Sequence, residues 1–253
     1  MNLRLAPLPN DPAAPFPPVD SALHDPDGLL AFGGDLMPTR LINAYRHGIF
    51  PWYSKGEPIL WWSPSVRAVF RTDAVHLSSR FKRGLRTSRL VVRADTCFER
   101  VIAACAHAAR PGQAGTWITP AMQRAYVELH ALGHAHSIEV FDGEAPDADC
   151  PVGGLYGVAV GRMFCGESMF STQPGASSLG LATLARRLQA WGWPLIDAQV
   201  PNAHTGRLGV ESWSRNDYVE ALHALSALPE PLGPWTARFG EIRASELATQ
   251  MPA

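Results

Sequence analysis

The stretch from residue 136 to residue 170 constrains the fold more than any other part of the chain. Its three runs, HSIEVF, PVGGLYGVAV and MFCGESMF, are separated by the turn-rich DGEAPDADC and by a tight Gly161-Arg162. Apolar and β-branched runs of this length, bounded by turn residues, predict a three-strand antiparallel meander. Gly153, Gly154 and Gly157 lie inside the second run. A glycine there weakens packing, and its usual use is a bulge or the close approach of another backbone.

Helical spacing brackets the meander. Phe98, Val101, Ile102 and Cys105 give one apolar face to a helix from about Asp95 to His107. A second helix begins at Thr119-Pro120, carries Met122, Tyr126 and Leu129 inward, and stops at Gly133. After the meander come a helix from about Ser177 to Trp191, a buried strand in WPLIDAQV, a shorter helical region over 203–226 and a proline-rich tail. The first 65 residues read as loop-rich, with one helix signal running from Pro38 through Leu41, Ile42 and Tyr45 to Gly48. Sheet, helix, strand, helix in that order predicts an α+β fold, divided into a small N-terminal domain (1–65) and a larger one (66–253). No internal repeat or low-complexity tract is visible.

With 46% hydrophobic and 18% charged residues, the chain reads as an ordinary folded protein. No apolar run is long enough to span a bilayer, and the proline-broken N-terminus is not expected to be a signal peptide. Four cysteines without a CxxC pair suit a reducing cytosol. The net charge of −1 leaves nucleic-acid binding only to a local patch. One exists: Arg80, Lys82, Arg83, Arg86, Arg89 and Arg93 fall within fourteen positions that hold no acidic residue. That run is either a solvated face or a phosphate-tracking surface. Trp52, Trp61 and Trp62, crowded into eleven residues, are either a small aromatic core or a stacking surface for exposed bases.

Two carboxylates sit in apolar strands: Glu167 in FCGESMFS and Asp197 in PLIDAQV. Desolvating a lone carboxylate costs several kcal/mol, so each must be paired, hydrogen-bonded or protonated. Such groups concentrate at functional sites, although a carboxylate pinning a turn or an arginine gives the same pattern. Gln199, two residues beyond Asp197, shares its strand face. Metal binding is poorly supported, because His134 and His136 lack a third ligand. No thiol or serine nucleophile is signalled either: Cys165 neighbours Glu167, and Ser168 lacks the spacing of a nucleophile elbow.

FGGDL (32–36), AYRHGIFPWY (44–53), PILWWSP (58–64), TWIT (116–119), HAHSIEV (134–140), GGLYG (153–157), FCGESMFS (164–171) and LIDAQ (195–199) together resemble the bacterial leucyl/phenylalanyl-tRNA–protein transferases. The resemblance implies a larger domain with the fold of the GCN5-related N-acetyltransferases. It also implies transfer of Leu or Phe, less well Met, from aminoacyl-tRNA to proteins with N-terminal Arg or Lys, which marks them for N-degron proteolysis in the cytoplasm. Position by position, Asp197 and Gln199 match the family's catalytic pair and Glu167 its acidic partner. Trp52 and Trp117 match aromatic residues that meet the terminal adenosine, and Asn202 a polar residue near the reacting ends. Leu155, Phe164, Leu181 and Ile196 fall where the family lines its side-chain pocket, and Ser168 is grouped with the substrate-binding positions. Arg80, Lys82, Arg83 and Arg86 are the expected tRNA contacts. Where the family commonly reads LIDCQ this chain has Ala198, in keeping with chemistry that needs no thiol. No cofactor is implied, and a monomer is expected.

Those residue types suit aminolysis of an already activated ester, which is served by positioning more than by a strong base. Gln199 is expected to hydrogen-bond the attacking amine, Asp197 to orient Gln199 and attract the incoming cation, and Glu167 to help select Arg or Lys. Two other readings compete. An acyl-CoA-dependent N-acyltransferase would need a glycine-rich pyrophosphate loop entering a helix, where this chain has QPGASSLG. A module that only binds tRNA ends or basic N-termini leaves Asp197 and Gln199 unexplained.

Overall fold

The computed structural model describes residues 5–108, 116–143 and 150–250. Among the described residues two sheets carry the architecture. The smaller runs β1 (Ala6–Leu8), β2 (Leu29–Gly33), β3 (Phe50–Pro51) and β4 (Leu60–Trp62), in the order β1-β2-β4-β3, with α1 (Pro38–Arg46) between β2 and β3. The larger begins with β5 (Val66–Arg71), followed by α2 (Ser79–Leu85), β6 (Leu90–Ala94), α3 (Phe98–His107) and α4 (Pro120–Ala131). The meander follows as β7 (Ala135–Asp142), β8 (Gly153–Val160) and β9 (Met163–Ser171), then α5 (Ala176–Ala190) and β10 (Leu195–Gln199). The chain goes on through α6 (Ala203–Arg207), β11 (Glu211–Ser214), α7 (Arg215–Ser226), α8 (Thr236–Phe239), β12 (Ile242–Arg243) and α9 (Ala244–Gln250). The large sheet is ordered β11-β5-β10-β9-β8-β7-β6-β12, and its neighbours pair antiparallel except β9 with β10, which are parallel.

Successive strand side chains point to opposite faces, and the two faces build two apolar clusters. Tyr156, Val158 and Val160 of β8 join Val101 of α3 and Met122 of α4. Leu155 and Ala159 join Leu181, Leu184 and Leu188 of α5. With helices on both sides, β8 is buried over its whole length. The result is an α+β fold. The small sheet has no separate core, because Leu30, Leu41 and Trp61 belong to the same cluster as Val101 and Met122.

The expected helices and meander stand where their caps and periodicity put them; Thr119, for instance, accepts a hydrogen bond from Met122 N as the N-cap of α4. The turn expected over DGEAPDADC falls mostly on residues 144–149, outside the described residues. Three expectations need correction. The loop-rich first segment holds four strands. The helical region 203–226 contains β11 between α6 and α7, and the tail carries α8, β12 and α9. These are strands of two to five residues and helices of four to seven, too short to show a period.

Gly157 is one glycine that the meander cannot replace. The β8–β9 register shifts between Tyr156 and Gly157, and a Cβ at Gly157 would lie 2.3 Å from the Cys165 carbonyl oxygen. Gly157→Ala is therefore expected to cost about 3 kcal/mol, as overpacked cores do, read as a lowered urea midpoint. Gly84 in α2 has open space where its Cβ would go, so Gly84→Ala should stabilise by about 0.5–1 kcal/mol in the same assay.

Candidate active site

The site lies where β9 and β10 part. Their parallel pairing runs through Leu195–Met163, Ile196–Phe164 and Asp197–Cys165 and then ends, while β9 continues to Ser171. Both strands are irregular there. Against β8, Tyr156 faces Ser168 and Gly157 faces Gly166, which leaves Glu167 as the extra residue of a bulge. Against β5, Asp197 faces Val69 and Gln199 faces Ala68, which leaves Ala198 extra. A bulge re-aims side chains and ends pairing, so two carboxylate-bearing strands turn their polar groups into one space. Gln199 takes φ +60°, a left-handed conformation uncommon outside glycine. Its backbone N–H donates to Asp197 Oδ1 at 2.8 Å, which holds the turn.

Asp197 is fully buried and its oxygens are occupied. Arg67 Nε donates to Oδ1 at 2.8 Å and Nη2 to Oδ2 at 2.7 Å, in a two-point geometry. The Tyr218 hydroxyl donates to Oδ2 at 2.9 Å. Arg67 is equally enclosed: its guanidinium lies 4.9 Å from the Phe50 ring centre and 4.4 Å from that of Tyr218, and Nη1 donates to the Gly48 carbonyl at 2.9 Å. Burial works against the Arg67 charge, but the Asp197 carboxylate beside it outweighs that and keeps Arg67 charged. In this geometry Asp197 holds the Gln199 backbone N–H and has no exposed oxygen.

Glu167 occupies a different environment. Its Oε1 accepts from the Tyr45 hydroxyl at 2.7 Å and from Gln199 Nε2 at 2.5 Å, and its Oε2 from the Tyr126 hydroxyl at 3.1 Å. The two tyrosine hydroxyls also contact each other; with one proton apiece they complete all three contacts only when the Glu167 carboxyl carries a proton of its own. Burial raises the Glu167 pKa, the charge of Asp197 adds to the rise, and the hydrogen bonds from Tyr45, Tyr126 and Gln199 oppose it; the net position is about 7. Cys165, paired directly with Asp197 across the sheet, is fully buried, and burial pushes its thiol well above the usual range.

A cavity of about 250 Å³ opens over this network, lined by Glu167, Gln199, Asn202, Ala198 and the indoles of Trp52 and Trp117 among others. Five of the residues read from the sequence therefore meet in one place. Asn202 serves the backbone as well, since its side chain caps α6 by accepting from His204 N and Thr205 N. The four expected pocket residues lie elsewhere: Leu155, Phe164, Leu181 and Ile196 are packed in the cluster beneath α5 and do not line the cavity. Ser168 pairs with Tyr156 and does not line it either. Arg80, Arg83 and Arg86 are exposed on and just after α2, and Lys82 is half-buried beside a separate cavity that also meets Arg186.

Residues 69–223 match the family described as leucyl/phenylalanyl-tRNA protein transferase, and residues 34–65 match the N-terminal domain of that family. The chain belongs to this family. It is 61% identical over 238 residues to a leucyl/phenylalanyl-tRNA–protein transferase of Xanthomonas campestris pv. campestris (strain B100), covering 94% of each chain. A relative of the same name in Xylella fastidiosa (strain M23) is 56% identical over 237 residues, again covering 94% of each. A solved structure of a functionally unknown conserved protein from Staphylococcus epidermidis is similar only at a TM-score of 0.40 and 13% identity, over 59% of this chain and 57% of that one.

Within this family chain, Arg67, Tyr45, Tyr126 and Tyr218 are the residues that sequence reasoning missed. Tyr45 and Tyr126 occupy apolar helix faces and read as core. Arg67 had a signal, because a buried Asp197 requires a buried cation and Arg67 is the arginine set in the apolar run VRAVF. Two expectations follow. Arg67→Met strands a buried charge and should cost about 3–5 kcal/mol, whereas Arg67→Met combined with Asp197→Leu should recover most of it in thermal melts. The second concerns pH. A Glu carboxyl titrates near ~4.3 when unfolded and near about 7 here, so the fold favours its neutral form. That contribution is complete below ~4.3 and is lost as pH rises through 7, by up to about 3 kcal/mol. Glu167→Gln, neutral at every pH, should remove this decline between pH 5 and pH 8 in denaturant titrations.

Proposed function

We propose that the chain transfers Leu or Phe, and less well Met, from aminoacyl-tRNA to the α-amino group of proteins that begin with Arg or Lys, marking them for N-degron proteolysis. The observation that carries this reading is the meeting of Glu167, Gln199 and Asn202 with two indoles in one cavity, in a chain of this family. The larger domain, 66–253, is taken to be GCN5-related N-acetyltransferase-like. The parallel β9–β10 pair that parts beside the cavity supports that assignment. Residues 1–65 form the smaller domain, and the protein works as a cytoplasmic monomer without a cofactor. Among the described residues no helix is long and apolar enough to cross a membrane.

In the reaction, the α-amino nitrogen attacks the ester carbonyl carbon and the bond to the ribose oxygen breaks. The proton given up by the nitrogen is balanced by the one taken up by that oxygen. An α-amino group titrates near ~7.7, so much of it is already neutral near pH 7. Gln199 Nε2 is committed to Glu167, which leaves the carboxamide oxygen to accept a hydrogen bond from the amine and aim it. Asp197 and Arg67 act through Gln199 as positioning residues. Glu167, lining the cavity, supplies negative charge above pH 7 for the cationic N-terminal residue. Trp52 and Trp117 stack the terminal adenosine, while Arg80, Lys82, Arg83 and Arg86 meet phosphates of the acceptor arm. Ala198 both lines the cavity and packs on the cluster of Leu155, Phe164, Leu181 and Ile196. Side-chain selection by those four requires the apolar packing beyond Ala198 to open.

The acyl-CoA reading loses support at the start of α5. Ala176 N donates to the Gln173 carbonyl at 3.1 Å, and Ser177 N to Ser171 Oγ at 2.8 Å. Amides engaged in this way are not open to a pyrophosphate. The deciding experiment supplies radiolabelled Leu-tRNA together with peptides beginning with Arg or with Ala. Label on the Arg peptide alone is the expected result; label on neither peptide, with the tRNA still bound, would turn the reading to a binding module.

A further inference from the structure

A second cavity, of about 850 Å³, adjoins the reaction cavity. The two share Trp52 and Trp117, so the same two indoles form the partition between them. On the far side the lining adds Trp62, Tyr53, Lys55, Thr119 and Gln123. Trp52 and Trp62 stand with ring centres 5.6 Å apart and planes tilted by 57°, and the Trp62 indole N–H donates to the Trp52 carbonyl at 2.7 Å. This wall is therefore fixed in orientation. Gln123 is fixed too, with Nε2 donating to the Ile118 carbonyl at 3.2 Å. Glu57, the acidic residue in the lining, has its carboxylate engaged by the Ser54 backbone N–H at 2.7 Å. Lys55 is exposed at the same rim.

We propose that this cavity binds the two unpaired cytidines that precede the terminal adenosine of the donor tRNA. The proposal rests on the transferase reading and adds a subsite to it. Three features favour single-stranded nucleotides. Aromatic faces stack bases whatever their sequence, and a cation at the rim suits a phosphate. The volume falls within the ~300–1,000 Å³ of cavities that enclose a ligand of a few rings, whereas the 250 Å³ reaction cavity has room for the reacting ends alone. Finally, every donor tRNA presents the same 3′ nucleotides, while an acceptor protein is arbitrary beyond its first residue. A walled cavity with oriented polar groups fits an invariant ligand better than a variable one. The shared indoles then separate the last base from the two before it.

Lys55 and Gln123 are exposed and half-buried, so their replacement spares the core. The test compares Lys55→Ala and Gln123→Ala with the natural protein, using leucyl-tRNA and leucyl-adenosine as donors and Arg-dipeptide and Arg-decapeptide as acceptors. The expected result is a KM for leucyl-tRNA that rises about tenfold more than the KM for leucyl-adenosine, which lacks the cytidines. As an inhibitor, the trinucleotide CCA should also beat adenosine by a margin that these variants shrink. Equal effects on both donors would overturn the proposal. So would a KM that rises for the decapeptide but not the dipeptide, which would assign the cavity to the acceptor chain. Transfer from leucyl-tRNA to the Arg peptides by the natural protein tests the underlying reading separately, because its absence would sink that reading whatever the variants do.

Discussion

The buried Arg67–Asp197 pair is the interaction on which the rest of the site depends. It joins β5 to β10 by side chains where their backbone register slips. Through Gly48 it ties the turn after α1 to the large sheet, and through Tyr218 it ties in α7. A buried ion pair is not by itself a source of stability, since apolar residues of equal volume often do as well. Its value here is directional. Two parallel hydrogen bonds fix the carboxylate plane, and the fixed Oδ1 then fixes the Gln199 backbone N–H.

That arrangement divides two neighbouring carboxylates into two kinds of group. Asp197 is paired with a guanidinium. Glu167 is matched only by neutral donors, so burial dominates and moves it to about 7. A carboxyl moved towards neutral pH by burial is a recurring device at working sites. Tyr45 and Tyr126 complete the division, because hydroxyl donors hold Glu167 in place without neutralising it. They also explain why α1, which belongs to the N-terminal segment, packs into the same cluster as α4: each delivers one hydroxyl to the same carboxylate.

The legible parts of this structure were those whose causes are local. Caps and periodicity placed α4 and α5, and the turn-bounded apolar runs placed β7 to β9. Glu167, Asp197 and Gln199 were visible because polar groups in apolar strands are expensive, and that expense can be seen without a partner. What stayed hidden was set by partners distant in sequence. Arg67 lies 130 residues from Asp197, and Tyr45 lies 122 residues from Glu167. Short edge strands such as β11 and β12 are fixed by pairing with β5 and β6, and a four-residue or two-residue strand has no period of its own to read.

The backbone at Gln199 shows why local rules fail at this point. A left-handed φ there would suit glycine, and glycine would remove the strain. The position also needs a carboxamide that reaches Glu167, and no glycine can supply it. Both requirements hold at once only if something else supports the conformation. An aspartate two residues earlier can bond that backbone N–H, but only if its own charge is met inside the fold. Arg67 meets it. The bulge, the strained glutamine and the buried ion pair are thus one solution to a single demand, that a side chain stand where the chain must turn.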